Sequence, residues 1–586
     1  MNRSCKAALA GGALAIALLS GAKQTEAGPY MGWSDWSLQT TTYSGYGTSW
    51  ADQYELEVQS DELVNTLQPY GYDYVNIDSG WEGGFDSYGR PIPGSNFSNG
   101  IPWIANIVHG NGQKLGIYWI PGVGTDVYNA NPPIYGTNYT VDQIVAQPLQ
   151  TGDAFGSWHL KIDFTKPGAQ AYINSVVNQF ASWGVDFIKL DGVVPGSDQS
   201  LSYCDDRPDV EAYWNAIQQC GRPIWMTISW NISDGYIPTW QTYSNARRID
   251  DDVEAYGSTL TDWSAVSKRF GDAYNWAPWA GNNGYNNNYP HGSGWNDLDS
   301  IDIGNGAMDG LTNDERRTVM SLWCIECAPL YTGDDLYHLD SYGMSLLTDQ
   351  NLINIDQAGN VATQVQGGNS QVWSAPNGDG TYTVGVFNLS GSAANVTVNF
   401  SSLGFTGYAD VYDQWYSADK GIVSGSYTQY LTTHASTVFK ITPLGPIAPG
   451  SHVLIPQNAT STRLDSAGGG TENGNTVDIW TSNGGTNQSW IFTNVGGNVY
   501  KIQPSYDTGL VMEVANAGGS GSLVNLWSDS GASNQRWAAN AVSGGFTFTP
   551  QNASGTVLDV AGGGGSGSNV DIWTSNGQSN QKWAVD

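Results

Sequence analysis

Cationic side chains are scarce in this chain: 22 Lys and Arg stand against 54 Asp and Glu, a formal net charge of −32. A surface so acidic repels nucleic acid and anionic lipid headgroups, which excludes both as partners. Acidity also keeps an exported protein soluble, so the charge removes candidates and names none. Cysteine is scarce too, with five residues. Cys5 lies in the first 27 residues, and Cys204 and Cys220 flank a predicted helix, where an oxidising compartment would allow a disulfide. Cys324 and Cys327 sit in the apolar stretch SLWCIECAPL. Without a second CxxC and with six His in the chain, they read as buried thiols or a local disulfide, not as a metal or redox pair. Long apolar runs are missing as well. Ala7–Leu19 falls short of the roughly 20 residues a membrane helix needs. Preceded by Arg3 and Lys6 and followed by Thr25-Glu26-Ala27, it reads as a secretory signal over 1–27, which predicts export and no membrane partner.

What the chain has in quantity is aromatic residues and glycine, with 25 Trp, 32 Tyr and 74 Gly. Tyr and Trp combine an apolar face with a polar tip, which suits neutral, hydroxyl-rich ligands such as sugars. From about 28 to 358, short apolar runs alternate with helical patterns. Tyr74–Asp78, Leu115–Trp119, Asp186–Leu190 and Ile224–Ile228 read as strands, and Ala169–Trp183 and Val210–Gln219 as helices. Repeated βα units of this kind predict a (β/α)8 barrel. Polar residues recur at the strand ends: Asp78, Tyr118 and Trp119, Lys189 and Asp191, Ser229 and Trp230. In such a barrel those ends face the active site, although any one Asp there could be a turn residue.

Short β-type runs divided by Gly, Ser and Asn follow over 359–443 and predict a small antiparallel β domain. The Pro- and Gly-bearing stretch 444–452 reads as a linker. The remaining segment, 453–586, repeats itself. Asn487-Gln488-Ser489-Trp490, Asn534-Gln535-Arg536-Trp537 and Asn580-Gln581-Lys582-Trp583 share NQxW at spacings of 47 and 46 residues. Each follows a VDIW-like strand, so three β units should pack about a shared axis.

No Ser-His-Asp triad, HExxH or phosphate loop stands out, so chemistry falls to carboxylates. Asp191 closes the strand FIKLD beside Lys189, a cation that would keep it ionised. Asp252 ends the run Asp250-Asp251-Asp252, where crowding is expected to raise one carboxyl toward a working acid. Cleavage of a glycosidic bond with retention needs two carboxyl groups about 5 Å apart. These residues alone leave a catalytic pair and an acidic surface turn equally open.

Motifs in order along 31–441 resemble glycoside hydrolase family 27, the α-galactosidase (melibiase-like) family. MGWSDW at 31–36 resembles MGWNSW, YVNIDSGW at 74–81 resembles YxxIDDGW, and KLGIY at 114–118 is unaltered. Lys189-Leu190-Asp191-Gly192 resembles KYDxC. Arg248 and Asp252 match an Arg four residues before an Asp, and GWNDLDSIDIGNG at 294–306 and 315–336 continue the series. The resemblance implies a retaining glycosidase with Asp191 as nucleophile and Asp252 as acid/base. It implies a sugar subsite of Trp33, Asp78, Ser79, Tyr118, Lys189, Trp230 and Arg248, structural roles for Asp297 and Asp299, and neither a metal nor an organic cofactor. The chain departs from the family pattern at Ser79, where α-galactosidases carry a second Asp to hold sugar hydroxyls. The Cys of KYDxC is replaced by Val193, and CEWP reads Ile228-Ser229-Trp230-Asn231. Release of terminal α-galactose is the expected activity; β-L-arabinopyranosidase and isomalto-dextranase are the alternatives Ser79 opens, with a non-catalytic lectin behind them.

The NQxW repeats resemble the ricin-B-type β-trefoil, whose Gln and Trp build the core. Its sugar sites match Asp465, Asp478, Trp480 and Asn487 in the first repeat and Asp559, Asp571, Trp573 and Asn580 in the third. The second carries Glu513 and Asn525, and the longer side chain predicts weak or no binding there. The expectation is therefore a barrel, an antiparallel β-sandwich and a trefoil, acting on oligo- or polysaccharide.

Overall fold

The computed structural model describes residues 28–156, 158–281 and 294–586. The predicted signal segment, with Arg3, Lys6 and Cys5, lies outside the described residues. Eight parallel strands form the first sheet: β1 (Met31–Ser34), β2 (Tyr74–Ile77), β3 (Lys114–Trp119), β4 (Val185–Leu190), β5 (Trp225–Ile228), β6 (Ala246–Arg248), β7 (Trp295–Asp297) and β8 (Leu330–Thr332). Their order is β7-β6-β5-β4-β3-β2-β1-β8. The seam between β7 and β8 is drawn together by Ile301 N–H donating to Tyr331 O at 2.8 Å and by the Tyr331 hydroxyl donating to Asp299 at 2.9 Å. The lower barrel is filled by aromatic rings: Tyr30 packs on Phe187 at 4.9 Å, Tyr74 at 5.3 Å and Tyr331 at 5.5 Å. A plugged barrel leaves the polar strand ends as the place where a ligand can enter.

Helix Ala169–Trp183 shows how the surrounding layer forms. Glycines at 168 and 184 bound it in left-handed backbone, and Tyr172, Ile173, Val176, Val177 and Phe180 give it one apolar face. Val176, Val177 and Phe180 are fully buried, each worth about 1.5–3 kcal/mol of apolar transfer. The next helix begins at Arg207 instead of Val210, because Pro208 is suited to a first helical turn.

Helix Asn313–Glu326 joins barrel to sandwich. Its Ser321 Oγ lies 2.9 Å from both Trp415 Nε1 and Ser436 Oγ, while Thr318 donates to His434 O at 2.6 Å. The His434 ring stacks on Trp263 at 4.1 Å, and its Nδ1 pairs with Glu315 at 2.6 Å. The sandwich has a six-stranded antiparallel sheet and a two-stranded one, Ala394–Asn399 with Ser426–Leu431.

The linker is shorter than 444–452. Strand Ser436–Gly445 runs into it, and Gly450–His452 already pairs with the trefoil strand Trp490–Gly496. Ile447 between them is buried in the trefoil core and donates its N–H to the Tyr500 hydroxyl at 3.0 Å; that hydroxyl donates to Leu444 O at 2.8 Å. The three NQxW tryptophans, Trp490, Trp537 and Trp583, are fully buried and donate to Leu464, Met512 and Leu558 carbonyls at 2.9, 2.9 and 3.1 Å.

The expected Cys204–Cys220 disulfide is absent. Both residues are free, as are the buried Cys324 and Cys327. The helix between the first two has 13 residues, about 20 Å of rise, whereas a disulfide needs Cα atoms within about 7 Å. Cys204 instead donates to Asp206 at 2.8 Å. Denatured but unreduced protein lacking residues 1–27 should therefore titrate all four thiols with a chromogenic disulfide reagent; a count of two would restore the bridge.

Candidate active site

The ends of β2, β3, β4, β6 and β7 turn their polar residues toward one space. Asp78, Lys189, Arg248, Glu254 and Asp299 line it together with Trp36, Tyr30, Phe187 and Tyr331, and its volume is about 20 Å³. Lys189 Nζ donates to Asp78 Oδ2 at 2.8 Å. The buried Arg248 guanidinium bridges two carboxylates, Asp252 at 2.9 Å and Asp299 at 2.6 Å. Asp299 is itself fixed, since its Oδ2 accepts Val253 N–H at 2.7 Å.

Asp191 is buried just past β4, its N–H donating to Trp119 O at 2.8 Å. Burial pushes its carboxyl above the usual range, Lys189 draws it back, and Asp252 and Asp78 raise it again. The Tyr118 hydroxyl, also buried, is held neutral by burial and by Asp191 and Asp78. Asp252 goes the other way. Burial opposes its charge, but Arg248, Lys189 and the Tyr256 hydroxyl outweigh that and hold it down to about 2. Crowding within Asp250–Asp252 therefore does not raise Asp252, because Asp252 turns away from the other two, which share Lys268. Asp250 pairs with Arg269 and Lys268, Asp251 with Lys268 at 2.6 Å, and Asp252 alone turns to Arg248.

One subsite expectation changes. Trp33 is fully buried with its Nε1 donating to Asp334 O at 2.7 Å, so it supports the site from beneath and presents no face to a ligand. Trp36, three residues on, lines the space instead, with Lys189 Nζ 5.9 Å from its ring centre. Ser79 is half-buried; its carbonyl accepts Gln39 Nε2 at 3.1 Å and its N–H caps Asp78 Oδ1 at 2.8 Å. Trp230 is half-buried and packs on Phe155 at 5.4 Å. Three residues lay outside the sequence reading: Tyr256, which donates to Asp252 from four residues on; Glu254, accepting Ser37 Oγ at 2.8 Å; and Asp35, whose carboxylate accepts Asp78 N–H at 2.7 Å. Burial and the neighbouring Asp78 raise Asp35 to about 7. The i,i+4 spacing of Asp252 and Tyr256 was a usable signal; the other two contacts are long-range.

Among the described residues, Asp252, Glu254 and Asp299 bring carboxylate oxygens within 4.8 Å of one another, the geometry of a cation site. The Arg248 guanidinium already supplies positive charge to Asp252 and Asp299 there.

The trefoil sites are built from facing strands. Asp465 stands opposite Asp478, Asp559 opposite Asp571, and Glu513 opposite Asn525. Asp465 accepts Asn487 and Gln488, both at 2.8 Å, and Asp559 accepts Asn580 at 2.9 Å. Glu513 accepts Gln535 at 2.9 Å and Asn534 at 3.4 Å. Burial and the facing carboxylate raise Asp478 and Asp571 to about 6. Trp480, Trp527 and Trp573 are 50%, 42% and 49% exposed, so each repeat presents an aromatic platform.

Comparison with known proteins agrees with this architecture. Residues 160–358 match the family model described as alpha galactosidase A, and 367–441 its C-terminal beta sandwich domain. The ricin-type beta-trefoil lectin model matches three times, over 438–527, 500–564 and 533–586. Alpha-galactosidase 3 of Hypocrea jecorina is 28% identical over 458 residues, covering 70% of each chain. The alpha-galactosidase of Cyamopsis tetragonoloba is 28% identical, over 71% of this chain and 86% of its own. Among solved structures, a GH27 β-L-arabinopyranosidase from Geobacillus stearothermophilus superposes with a TM-score of 0.62 at 27% identity, covering 71% of this chain and 96% of that one. Barrel, carboxylate site and trefoil together define a glycosidase with a carbohydrate-binding module. Its barrel and sandwich are similar to glycoside hydrolase family 27, the α-galactosidase family, and its C-terminal region carries a ricin-B-type lectin domain.

Lys189 lowers the pKa of Asp191, so replacing it with Met should raise that pKa. Asp191 would then stay protonated to higher pH, and the acid limb of kcat/KM should move up by about one unit or more. An acid limb that stays in place in a folded Lys189→Met enzyme would exclude Asp191 as the group that must be ionised.

Proposed function

We propose that this is an exported, retaining exo-glycosidase that releases terminal α-galactose from oligo- or polysaccharide. The observation that supports the proposal is that Asp191 and Asp252 interact electrostatically while each has its own cation, Lys189 and Arg248. Asp191 attacks the anomeric carbon and becomes a glycosyl ester while Asp252 gives its proton to the leaving oxygen. A bound neutral sugar removes water from Asp252, and the glycosidic oxygen takes the place of the Tyr256 hydroxyl. Both changes lift the carboxyl toward protonation. Once Asp191 is esterified its charge is gone, and Asp252, relieved of a like-charged neighbour, falls back to the ionised state. It then serves as the base that activates water.

Ser79 supports a second reading, in which the mechanism stands and the sugar changes. A site that loses a carboxylate partner for a sugar hydroxyl discriminates differently, and β-L-arabinopyranoside is the alternative a similar fold already serves in the Geobacillus enzyme. Rates on aryl α-galactoside, aryl β-L-arabinopyranoside and dextran decide between them. Preference for the first supports galactose release; silence there with release of arabinose or isomaltose transfers the assignment. In either case Asp191→Ala should abolish turnover, and Asp252→Asn should lower it roughly 10²–10⁴-fold.

The trefoil holds the enzyme on polymer through its first and third repeats, with Trp480 and Trp573 as platforms. Two weak sites on one body raise apparent affinity through effective concentration. Retention on insoluble polysaccharide should be lost in Trp480→Ala/Trp573→Ala and kept in Trp527→Ala. Equal loss in the last would make the second repeat a site of the same standing.

A further inference from the structure

Tyr256 is 54% exposed, yet its hydroxyl turns inward to donate to Asp252 Oδ2. Its backbone lies in the left-handed region, at φ 51°, which a bulky side chain seldom enters unless its surroundings impose it. They do so here. Gly257 O accepts Thr42 N–H at 2.7 Å and Thr41 Oγ1 at 3.1 Å, and Ala255 N–H donates to Leu260 O at 2.8 Å. The turn is thus pinned on both sides of Tyr256, to the end of helix Trp36–Thr40 and to its own returning limb.

The hydroxyl sits in a directed chain. The Trp36 side chain donates to it, and it donates to Asp252, whose other oxygen, Oδ1, is taken by Arg248 at 2.9 Å. Burial and the charge of Asp252 keep the hydroxyl protonated, so its proton stays available to that carboxylate. Both oxygens of Asp252 are therefore engaged, but not equally. Arg248 is buried and shared with Asp299, which fixes Oδ1. The Tyr256 ring borders solvent and can turn outward, which makes Oδ2 the oxygen that meets the leaving group. A carboxylate oxygen has two acceptor positions, so a hydroxyl on one leaves the other for water. The remaining charged or titratable groups about Asp252 are Lys189, Asp191, Glu254 and Asp299. Asp250 and Asp251 are turned to Lys268.

We propose that Tyr256 is a positioning residue of the acid/base, which withdraws from Oδ2 as the leaving group enters and returns after that group departs, to orient Asp252 for the attack of water on the glycosyl-enzyme. The inference rests on Asp191 and Asp252 as the catalytic pair. In that second step the water oxygen bonds the anomeric carbon, the ester bond to Asp191 breaks, and the water proton passes to Asp252. Tyr256→Phe keeps the ring and removes the hydroxyl. It is compared with wild type on an aryl glycoside whose activated phenolate leaves without a proton, so that hydrolysis of the glycosyl-enzyme sets kcat. Loss of a donor to the ionised carboxyl favours its protonation, so the acid limb of kcat should move up by about half a unit or more. Below that limb kcat and KM should fall together, because the glycosyl-enzyme accumulates; a merely disordered site would lower kcat and raise KM. In Asp252→Asn the same change should have no further effect. An acid limb that stays in place, a raised KM, or an equal effect in the Asp252→Asn enzyme would overturn the positioning role and leave the catalytic pair standing. An Asp252→Asn enzyme as active as wild type would overturn both.

Discussion

Arg248 is the side chain on which the barrel mouth depends. It is buried, and its Nη2 meets both Asp252 and Asp299. Asp299 in turn fixes the Val253 backbone and takes the Tyr331 hydroxyl across the seam of the sheet. One guanidinium thus sets the direction of the acid/base carboxylate and ties it to barrel closure. Removing one partner from a buried pair of this kind costs about 3–5 kcal/mol, because a charge is stranded in low dielectric.

The scarcity of cations gives that arrangement its wider meaning. The barrel buries more carboxyl groups than it has positive charges to match, and burial drives several of them toward neutrality: Asp35 to about 7, with Glu254 and Asp302 well above the usual range. Neutral carboxyls donate as well as accept, so they stiffen the walls of the site without adding to its negative field. Lys189 and Arg248 work the other way and favour charge, Lys189 on Asp191 and both on Asp252. A sugar, having no charge, is not repelled by such a site, and the field acts on the bond being broken.

Local pattern carried much of this into view. Helix Ala169–Trp183 was readable to the residue because glycines bound it and its apolar spacing is regular. The four strands read from sequence lie within a residue of those observed, since apolar runs of barrel strands are buried on both faces. What local pattern could not supply was direction. Trp33 and Trp36 stand in one motif, and nothing in the spacing says which points to solvent, as β1 gives way to a helix between them. The same limit applies to Asp252. Its neighbours in sequence suggested repulsion, while its neighbours in space, Arg248 and Lys189, impose the opposite shift. The Cys204–Cys220 bridge failed for a reason helix length alone could have given. The long-range contacts of Asp35 and Glu254 had no sequence signal at all.

The trefoil platforms carry a dependence of their own. A Cβ on Gly567 would lie 3.4 Å from the Trp480 ring, one on Gly474 3.8 Å from Trp527, and one on Gly521 3.3 Å from Trp573. Each indole therefore rests on a bare turn contributed by a different repeat: the first on the third, the second on the first, the third on the second. The three sites form a closed cycle of mutual support, in which no repeat completes its own binding face. A single repeat cut from the ring would keep its ligand-facing residues and lose the surface behind them. The unit that inheritance can copy, trim or trade is consequently the whole ring.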